Sequence, residues 1–286
     1  MDMLYGLPVS TIVSGANYSP WLGDGAFGRV MASVASFGLV DTLRSWELWG
    51  LARQTAPVPG DILEVGVYKG GSGLVLAHAV AEAAPQKIVH LCDTFEGVVF
   101  AGEYDPEFLG GEFSDTSEEE VAARVHGAGL TNVRLHKGIF PLETGARIEA
   151  SALSLVHVDV DVWESAKLTF EWAWPRVSAG GVVVFDDYGW AHCRGVVKFV
   201  EEEVVGLQDA RVLHNLNGHA VAVKHTTPSL AAITERAAAA EARAIASEAR
   251  AAVAEARARA AEERAAFFAP SWLAPLRGTV GRFLRR

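Results

Sequence analysis

Residues 61–73, DILEVGVYKGGSG, decide the fold of this chain, because they join a strand-like run to a glycine-rich turn. The run is short, apolar and rich in branched side chains, which is typical of a strand covered on both faces of a sheet. The glycines allow a tight turn and a close approach of the backbone to a ligand, before a helix that is expected to begin near Gly73. A strand, a glycine-rich turn and a helix in this order predict the first unit of an α/β domain.

Six further runs share the character of the first and alternate with helical patterns. Short buried strands between helices predict a doubly wound, mostly parallel sheet of seven strands. The last two runs are separated only by Leu216, Asn217 and Gly218, which predicts an antiparallel hairpin at the end of the sheet. The strand-like runs are 61–67, 87–92, 132–138, 153–160, 180–185, 210–215 and 219–224.

Two segments outside these strands have patterns of their own. Residues 20–56 carry apolar side chains at helical intervals until Pro57 and Pro59 stop the pattern, so region 1–56 is expected to form a helical region or lid. Residues 97–118 show no periodicity, which predicts a loop over a site rather than a part of the core.

An acidic side chain follows the glycine-rich turn at the end of the next strand. Asp93 lies 20 residues after Gly73, where a carboxylate can accept hydrogen bonds from both hydroxyls of a ribose. The glycine spacing departs from the G-x-G-x-x-G pattern of dinucleotide-binding proteins. Glu64 would repel a pyrophosphate but suits an amino group. The pattern therefore favours an amino acid joined to adenosine, which is S-adenosylmethionine; a plain structural turn is the alternative.

Two pairs of aspartates stand at the ends of two later strands. Asp159 and Asp161 close the run LSLVHVDVD, and Asp186 and Asp187 close GGVVVFDD. Four carboxylates brought together repel one another unless a counter-ion is present. Oxygen ligands of this kind favour a hard divalent cation, Mg²⁺ first and Mn²⁺ or Ca²⁺ after it. The alternative is that both strands end in solvated aspartates at the rim of the sheet.

Five motifs occur in an order and at a spacing that resemble a known family. Read along the chain, they are ILEVGVYKGGSG, CDTFEG, HVDVDVWES, FDDYG and NGHAVAVK. They resemble the macrocin-O-methyltransferase (TylF-type) family of sugar O-methyltransferases over about residues 5–226. The resemblance implies a Rossmann-like class I methyltransferase fold, S-adenosylmethionine, a divalent metal and a sugar hydroxyl as acceptor. Where the family usually has a tyrosine after its D-x-D, this chain has Trp163, a change near the expected acceptor pocket.

The resemblance also implies roles for individual residues. Asp159, Asp186 and Asp187 match the metal ligands of the family. Asp161 matches its general base, which would take the proton of the sugar hydroxyl as the oxygen attacks the methyl group. The residues expected to bind the cofactor are Glu64, Gly66, Ser72, Asp93, Thr94, Phe95 and Gly138.

Aromatic residues and histidines lie close to these aspartates in the sequence. Tyr188 and Trp190 directly follow the second pair, and we expect both to form walls of the acceptor pocket, since aromatic faces stack on sugar rings. His136 and His157 alternate with apolar residues in strands and are expected to be core histidines with satisfied hydrogen bonds.

The composition excludes several classes of protein. The net charge of the 286 residues is −10, and residues 227–286 carry ten arginines against six glutamates, so residues 1–226 have a charge of −14. Such an acidic body argues against nucleic-acid binding. No apolar run approaches the roughly 20 residues that span a bilayer. With two cysteines and no signal-peptide pattern, a cytoplasmic protein is expected.

Residues 227–286 are expected to form a separate helical tail. About half of residues 231–266 are alanine, and glutamate and arginine each recur every seven residues, which predicts a weak coiled coil or a solitary solvated helix. The basic, aromatic end FFAPSWLAPLRGTVGRFLRR suits the anionic inner face of a membrane, although a packed or flexible terminus is the alternative. A membrane-bound tail would favour a role in surface polysaccharide biosynthesis. A homo-oligomer is also expected.

Three functions are therefore considered. The first is metal-dependent methyl transfer to a sugar hydroxyl of a glycan or glycosylated metabolite. The second is a nucleotide-sugar or NAD-linked enzyme on the same fold. The third is a scaffold whose coiled coil recruits glycan enzymes.

Overall fold

The computed structural model describes residues 2–226 except Thr11, Val13 and Ser14. The strands are β1 Asp2–Leu4, β2 Leu7–Val9, β3 Asp61–Val65, β4 Val89–Asp93, β5 Val133–Lys137, β6 Leu153–Val158, β7 Val177–Phe185, β8 Ala210–His214 and β9 Ala220–Lys224. The α-helices are α1 Gly25–Val34, α2 Thr42–Gln54, α3 Gly71–Ala83, α4 Glu118–Gly127, α5 Trp163–Ala173 and α6 Arg194–Phe199.

Strands β3 to β9 form one sheet with the order β5-β4-β3-β6-β7-β9-β8. Neighbouring strands from β5 to β7 are parallel, whereas β9 lies antiparallel between β7 and β8. The seven predicted strands and the terminal hairpin are thus confirmed. The strand order reverses between β3 and β6, and open α/β sheets bind ligands outside the carboxyl ends of the strands at such a point.

Both faces of the sheet are covered by helices, which explains why its strands read as continuous apolar runs. Ile62 and Leu63 are neighbours on β3, and both have no exposed surface. Ile62 packs in a core layer with residues of α1, α2 and α3. Leu63 points to the opposite face and packs with residues of α5 and α6. Because successive side chains alternate across a strand, a doubly covered strand needs apolar residues at nearly every position.

The N-terminal region contains helices, as expected, and also a hairpin that the sequence pattern did not predict. Helices α1 and α2 begin after Asp24 and Asp41, whose carboxylates accept hydrogen bonds from the first free amides of each helix. Strands β1 and β2 pair antiparallel across a turn at Tyr5 and Gly6, where φ is +52° and +83°. Each strand has only three residues, which is too short for a period-two pattern to be recognised.

The connections beside the sheet show one difference from the prediction and one agreement with it. Helix α3 begins at Gly71, two residues before the expected start. Between β4 and α4, residues 97–117 contain neither helix nor strand, in agreement with the predicted loop. The loop is closed on itself by the amide of Val98, which donates to the carbonyl oxygen of Glu112 over 2.9 Å.

Residues up to Thr226 form one compact unit. Within the described part of the chain, none of the helices combines the length and apolar character that crossing a bilayer requires. The predictions of a coiled coil and of a membrane-binding end concern residues 227–286, which lie outside the described residues.

Candidate active site

A cavity of about 310 Å³ opens at the carboxyl ends of the central strands. Its walls come from the loops that follow β3, β4, β6 and β7, together with residues 37–44 and the loop at 97–113. The cavity therefore lies where the strand order reverses, and the unstructured loop borders it, as the sequence predicts.

The turn after β3 is shaped by contacts between protein segments. Gly66 has φ +87°, and a Cβ atom there would lie 1.6 Å from the carbonyl oxygen of Asp159. A Cβ at Gly73 would lie 2.6 Å from Oε2 of Glu64. These two glycines are thus required for close packing of β3 against its neighbours, a constraint that the sequence prediction had assigned to the approach of a ligand.

The N-terminus of α3 faces the cavity without a capping side chain. Its N-cap residue is Gly70, with φ +85°, and no side chain accepts a hydrogen bond from the first turn. Gly71 and Ser72 line the cavity. Free amides and the positive end of a helix dipole suit a carboxylate, such as that of an amino acid.

The carboxylate of Asp93 lies at the cavity and organises the loops around it. Its Oδ2 accepts hydrogen bonds from the amides of Val67 and Tyr68, at 2.7 and 2.8 Å, and its Oδ1 accepts from the amide of Phe95 at 2.7 Å. Two donors fill the lone pairs of Oδ2, and the single donor to Oδ1 leaves one lone pair there for a ligand. Asp93 therefore builds the floor of the cavity in addition to its expected role toward a ribose.

Five of the seven residues expected to bind the cofactor line the cavity, and two do not. Glu64 has no exposed surface, because it lies on the central strand β3 opposite His157 on β6, whose Nδ1 is 2.9 Å from its Oε1. Phe95 has a ring that is 7% exposed and packs in the core. Neither side chain lies in the cavity wall, so the cofactor contacts expected of Glu64 and Phe95 stay predictions. The five that line the cavity are Gly66, Ser72, Asp93, Thr94 and Gly138.

The four aspartates meet on one side of the cavity. Carboxylate oxygens of Asp159, Asp186 and Asp187 all lie within 4.8 Å of one another. Asp161 reaches the same side because its φ of +64° turns the chain just beyond β6. Its amide and that of Val160 donate to Oδ2 of Asp187 over 2.8 and 3.1 Å.

Side chains of the protein itself supply part of the positive charge that the sequence pattern led us to expect from a metal ion. Arg44 of α2, which is 6% exposed, forms an ion pair with Oδ2 of Asp186. The Nε2 atoms of His219 and His157 lie 2.8 and 3.3 Å from its Oδ1. Among the described residues, Asp186 is thus held on both oxygens. Nothing in the sequence near Asp186 indicated Arg44 or His219 as its partners.

Burial and these neighbours separate the pKa values of the aspartates. Burial, reinforced by the charge of Asp187, raises the pKa of Asp161 to about 8. Burial and the charge of Asp186 raise the pKa of Asp187 to about 6, and those two causes also raise the pKa of Asp159. For Asp186 burial is opposed by hydrogen bonds from His157 and His219, which hold its pKa well below its usual range.

His157 bridges Glu64 and Asp186, so it connects the central strand to the carboxylate cluster. Although burial lowers its pKa, the hydrogen bonds with Asp186 and Glu64 prevail and raise that pKa to about 10. The two carboxylates therefore favour the charged form of the imidazole. The burial of His157 and its two partners agree with the prediction of a core histidine with satisfied hydrogen bonds.

The cluster offers oxygen atoms that suit a hard divalent cation. In the part of the chain that the structure describes, no group donates a hydrogen bond to the carboxylate of Asp159, although the residue is half-buried and lies beside three other acids. Asp187 keeps its Oδ1 free of the amides that bind Oδ2. The unused oxygens of Asp159 and Asp187, next to the carboxylate of Asp186, fit the donor preference of Mg²⁺.

The aromatic residues after the second aspartate pair divide between the cavity and the core. Trp190 lines the cavity, is 42% exposed and lies against the guanidinium of Arg44 at 5.3 Å. Tyr188 is not among the residues of the cavity wall, and its contact with the acceptor stays a prediction. Residues 186–189 form a 3₁₀ turn, which directs the ring of Tyr188 toward His214 and its hydroxyl toward Glu201. Trp163 also packs away from the cavity.

A family model described as macrocin-O-methyltransferase (TylF) matches residues 51–212. The chain is 30% identical over 186 residues to the 8-demethyl-8-(2,3-dimethoxy-alpha-L-rhamnosyl)-tetracenomycin-C 4'-O-methyltransferase of Streptomyces olivaceus, covering 62% of this chain and 70% of the relative. It is 31% identical over 147 residues to demethyldecarbamoylnovobiocin O-methyltransferase of Streptomyces niveus, covering 46% and 53%.

Solved structures show the same fold. The O-methyltransferase NovP superposes with a TM-score of 0.56 at 23% identity, over 64% of this chain and 80% of NovP. The calicheamicin methyltransferase CalS11 superposes with a TM-score of 0.52 at 19% identity, over 75% of this chain and 99% of CalS11. Both have the class I methyltransferase architecture that the sheet order indicates.

Proposed function

This chain belongs to the macrocin-O-methyltransferase (TylF) family of S-adenosylmethionine-dependent O-methyltransferases, and on that premise we propose that it methylates a sugar hydroxyl of a glycosylated small molecule. The observation that carries the proposal is the cavity at the strand-order reversal, which joins an uncapped helix N-terminus to a carboxylate cluster. The name of the relative from S. olivaceus, which includes a rhamnosyl group, supports a sugar acceptor. Trp190 at the cavity wall offers an aromatic face on which a sugar ring can stack.

The residues that would hold S-adenosylmethionine surround one half of the cavity. The amides of Gly71 and Ser72 would bind its carboxylate, and Asp93 would accept hydrogen bonds from its ribose. Gly138 borders the cavity at the end of β5, where an adenine would pass. When bound, the cofactor supplies a methyl group on a positively charged sulfur. The chain's own contribution is to align that methyl group with the acceptor and to exclude water.

The residues that would hold a divalent cation are Asp159, Asp186 and Asp187. When bound, the cation supplies Lewis acidity toward a hydroxyl oxygen of the acceptor. We assign the proton transfer to Asp161, whose carboxylate lines the cavity beside the cluster and would accept the hydroxyl proton on an oxygen. The sulfide product leaves neutral, so the acceptor proton is the only charge that the site must remove.

A methylation assay tests this proposal. The protein would be incubated with S-adenosylmethionine and a set of glycosides, with EDTA or with added Mg²⁺, and the products weighed by mass spectrometry. We expect methylated glycoside and S-adenosylhomocysteine, loss of both with EDTA, and recovery with Mg²⁺. Aglycones of the same compounds serve as matched controls. Methylation of aglycones but not of glycosides would contradict the sugar acceptor, and undiminished turnover with EDTA would contradict the cation.

Three finer predictions are kept as proposals with their own tests. A surface polysaccharide acceptor rests on the basic end of residues 227–286, and adding lipid-linked oligosaccharides to the same assay distinguishes it from a soluble metabolite. Attachment of that tail to the inner face of a membrane is tested by co-sedimentation with vesicles containing anionic lipid, using a variant that ends at Thr226 as the control. The expected homo-oligomer is tested by light scattering of both forms.

A further inference from the structure

Arg44 is the basic side chain that reaches the carboxylate cluster from the N-terminal region. Its Nε lies 2.7 Å from Oδ2 of Asp41, its Nη1 pairs with Oδ2 of Asp186, and its guanidinium lies against the ring of Trp190. Only 6% of the residue is exposed. A planar guanidinium held by two carboxylates and one aromatic face has a fixed position, so its positive charge stays beside Asp186.

Helix α2 is anchored to the cluster a second time, one turn further along. Glu47 lies three residues after Arg44, and its carboxylate accepts hydrogen bonds from the side-chain amides of Asn215 and Asn217 in the terminal hairpin. Its Oε2 is also 2.7 Å from Nδ1 of His219. Nε2 of the same imidazole lies 2.8 Å from Oδ1 of Asp186. Through Arg44 and through Glu47 with His219, helix α2 therefore acts on both oxygens of Asp186. This second attachment holds Arg44 in place.

The charge of Arg44 opposes a cation at the cluster. The guanidinium contacts Asp186 directly, and its charge also acts on the half-buried carboxylate of Asp159. A positive charge next to two of three cation-holding carboxylates stabilises them without a metal and repels a metal that approaches them. The remaining oxygens of Asp159 and Asp187 are free of such a partner.

We propose that Arg44 is the chain's own counter-cation for the carboxylate cluster, and that it lowers the affinity of Asp159, Asp186 and Asp187 for a divalent cation. The inference rests on the cation site of the proposed function and extends it with a residue outside the aspartate motifs. It makes Arg44 a positioning residue: it neutralises and orients Asp186 while the cation is absent, and it competes with the cation for that carboxylate. A purely structural Arg44 would have the opposite effect, since its loss would disorder Asp186 and weaken cation binding.

The test is Mn²⁺ binding to the full-length protein without cofactor or acceptor. Titration followed by calorimetry and by the electron paramagnetic resonance of free Mn²⁺ would compare the wild type with Arg44→Gln, which removes the charge, and Arg44→Lys, which retains it. Arg53→Gln is the matched control, because Arg53 lies on the same helix and pairs with Asp24 at 3.4 Å, away from the cluster. We expect Arg44→Gln to bind Mn²⁺ at least about tenfold more tightly than the wild type, and the other two variants to stay within about twofold of it.

Each remaining outcome has a defined meaning. Unchanged or weaker binding by Arg44→Gln overturns the inference, and so does tighter binding by Arg53→Gln to the same degree. If Arg44→Gln is unfolded in the absence of metal, circular dichroism during the Mn²⁺ titration replaces calorimetry. Recovery of the fold supports the counter-cation role, and no recovery overturns it.

If no variant binds Mn²⁺, the inference and the cation site both fail. S-adenosylmethionine binding and methyl transfer, measured on the same samples, still decide the proposed function separately.

Discussion

Replacing Asp161 by asparagine isolates the proton transfer from the rest of the site. The described contact of its side chain is with Sγ of Cys193, 3.7 Å from Oδ1, whereas the link to Asp187 runs through the backbone amide of Asp161. Asparagine has nearly the same shape and keeps that amide. The substitution therefore removes the proton acceptor while the cavity wall and the neighbouring carboxylates keep their positions.

A positioned general base contributes about 10²–10⁴-fold to a rate, so we expect Asp161→Asn to lower kcat by that factor, or about 3–5 kcal/mol in the barrier. Initial rates of S-adenosylhomocysteine formation at saturating substrates measure this loss. Calorimetry should show S-adenosylmethionine affinity within about twofold of the wild type, because the substitution lies outside the proposed cofactor half. Glu96→Gln, an exposed change, is the control. A loss of kcat below about tenfold would refute Asp161 as the base.

Three further substitutions, two of them paired with a control substitution, test the fold and the cavity wall. Gly66→Ala adds a Cβ 1.6 Å from a carbonyl oxygen at φ +87°, whereas the Cβ of Gly111→Ala, at φ +89°, has no atom within 4 Å. In urea unfolding, Gly111→Ala should lower the free energy of unfolding by about 1–2 kcal/mol, and Gly66→Ala should lower it clearly more. Equal losses in the two variants would contradict the packing argument. Lys87→Met removes an ammonium that donates to two carbonyl oxygens and a hydroxyl, so the free energy of unfolding should fall by about 2–4 kcal/mol; no loss would show that these bonds contribute nothing. Trp190→Ala should raise the KM for the acceptor several-fold and change the KM for S-adenosylmethionine little, while Tyr188→Phe should leave both KM values unchanged. The reverse pattern would place Tyr188, and not Trp190, against the acceptor.

The sheet was predictable because the forces that form it act within short segments. Each central strand is buried on both faces, and Ile62 and Leu63 show how this demands apolar residues in succession. The position of the site also followed, since acidic residues at the carboxyl ends of parallel strands must meet at one edge. Asp93, Asp159 and Asp186 were found in this way.

The partners of the aspartates were not predictable, because they come from distant parts of the chain. Arg44 and Asp186 are 142 residues apart, and Glu47 and His219 are 172 residues apart. From the sequence alone, a single arginine in a helix is expected to lie on the surface, because the packing of that helix is not yet known. Tyr188 lies outside the cavity wall for a local reason that its place after Asp187 did not reveal, since residues 186–189 form a 3₁₀ turn.

The connection between β8 and β9 limits which insertions and deletions this enzyme can accept. Asn215, Asn217 and His219 all contact Glu47, and the amide of Asn215 donates to the carbonyl oxygen of His219 over 2.8 Å. Adding or deleting one residue here would turn His219 to the opposite face of the sheet, because side chains alternate along a strand. The length of this turn therefore sets the position of His219 beside Asp186, although residues 215–218 do not line the cavity.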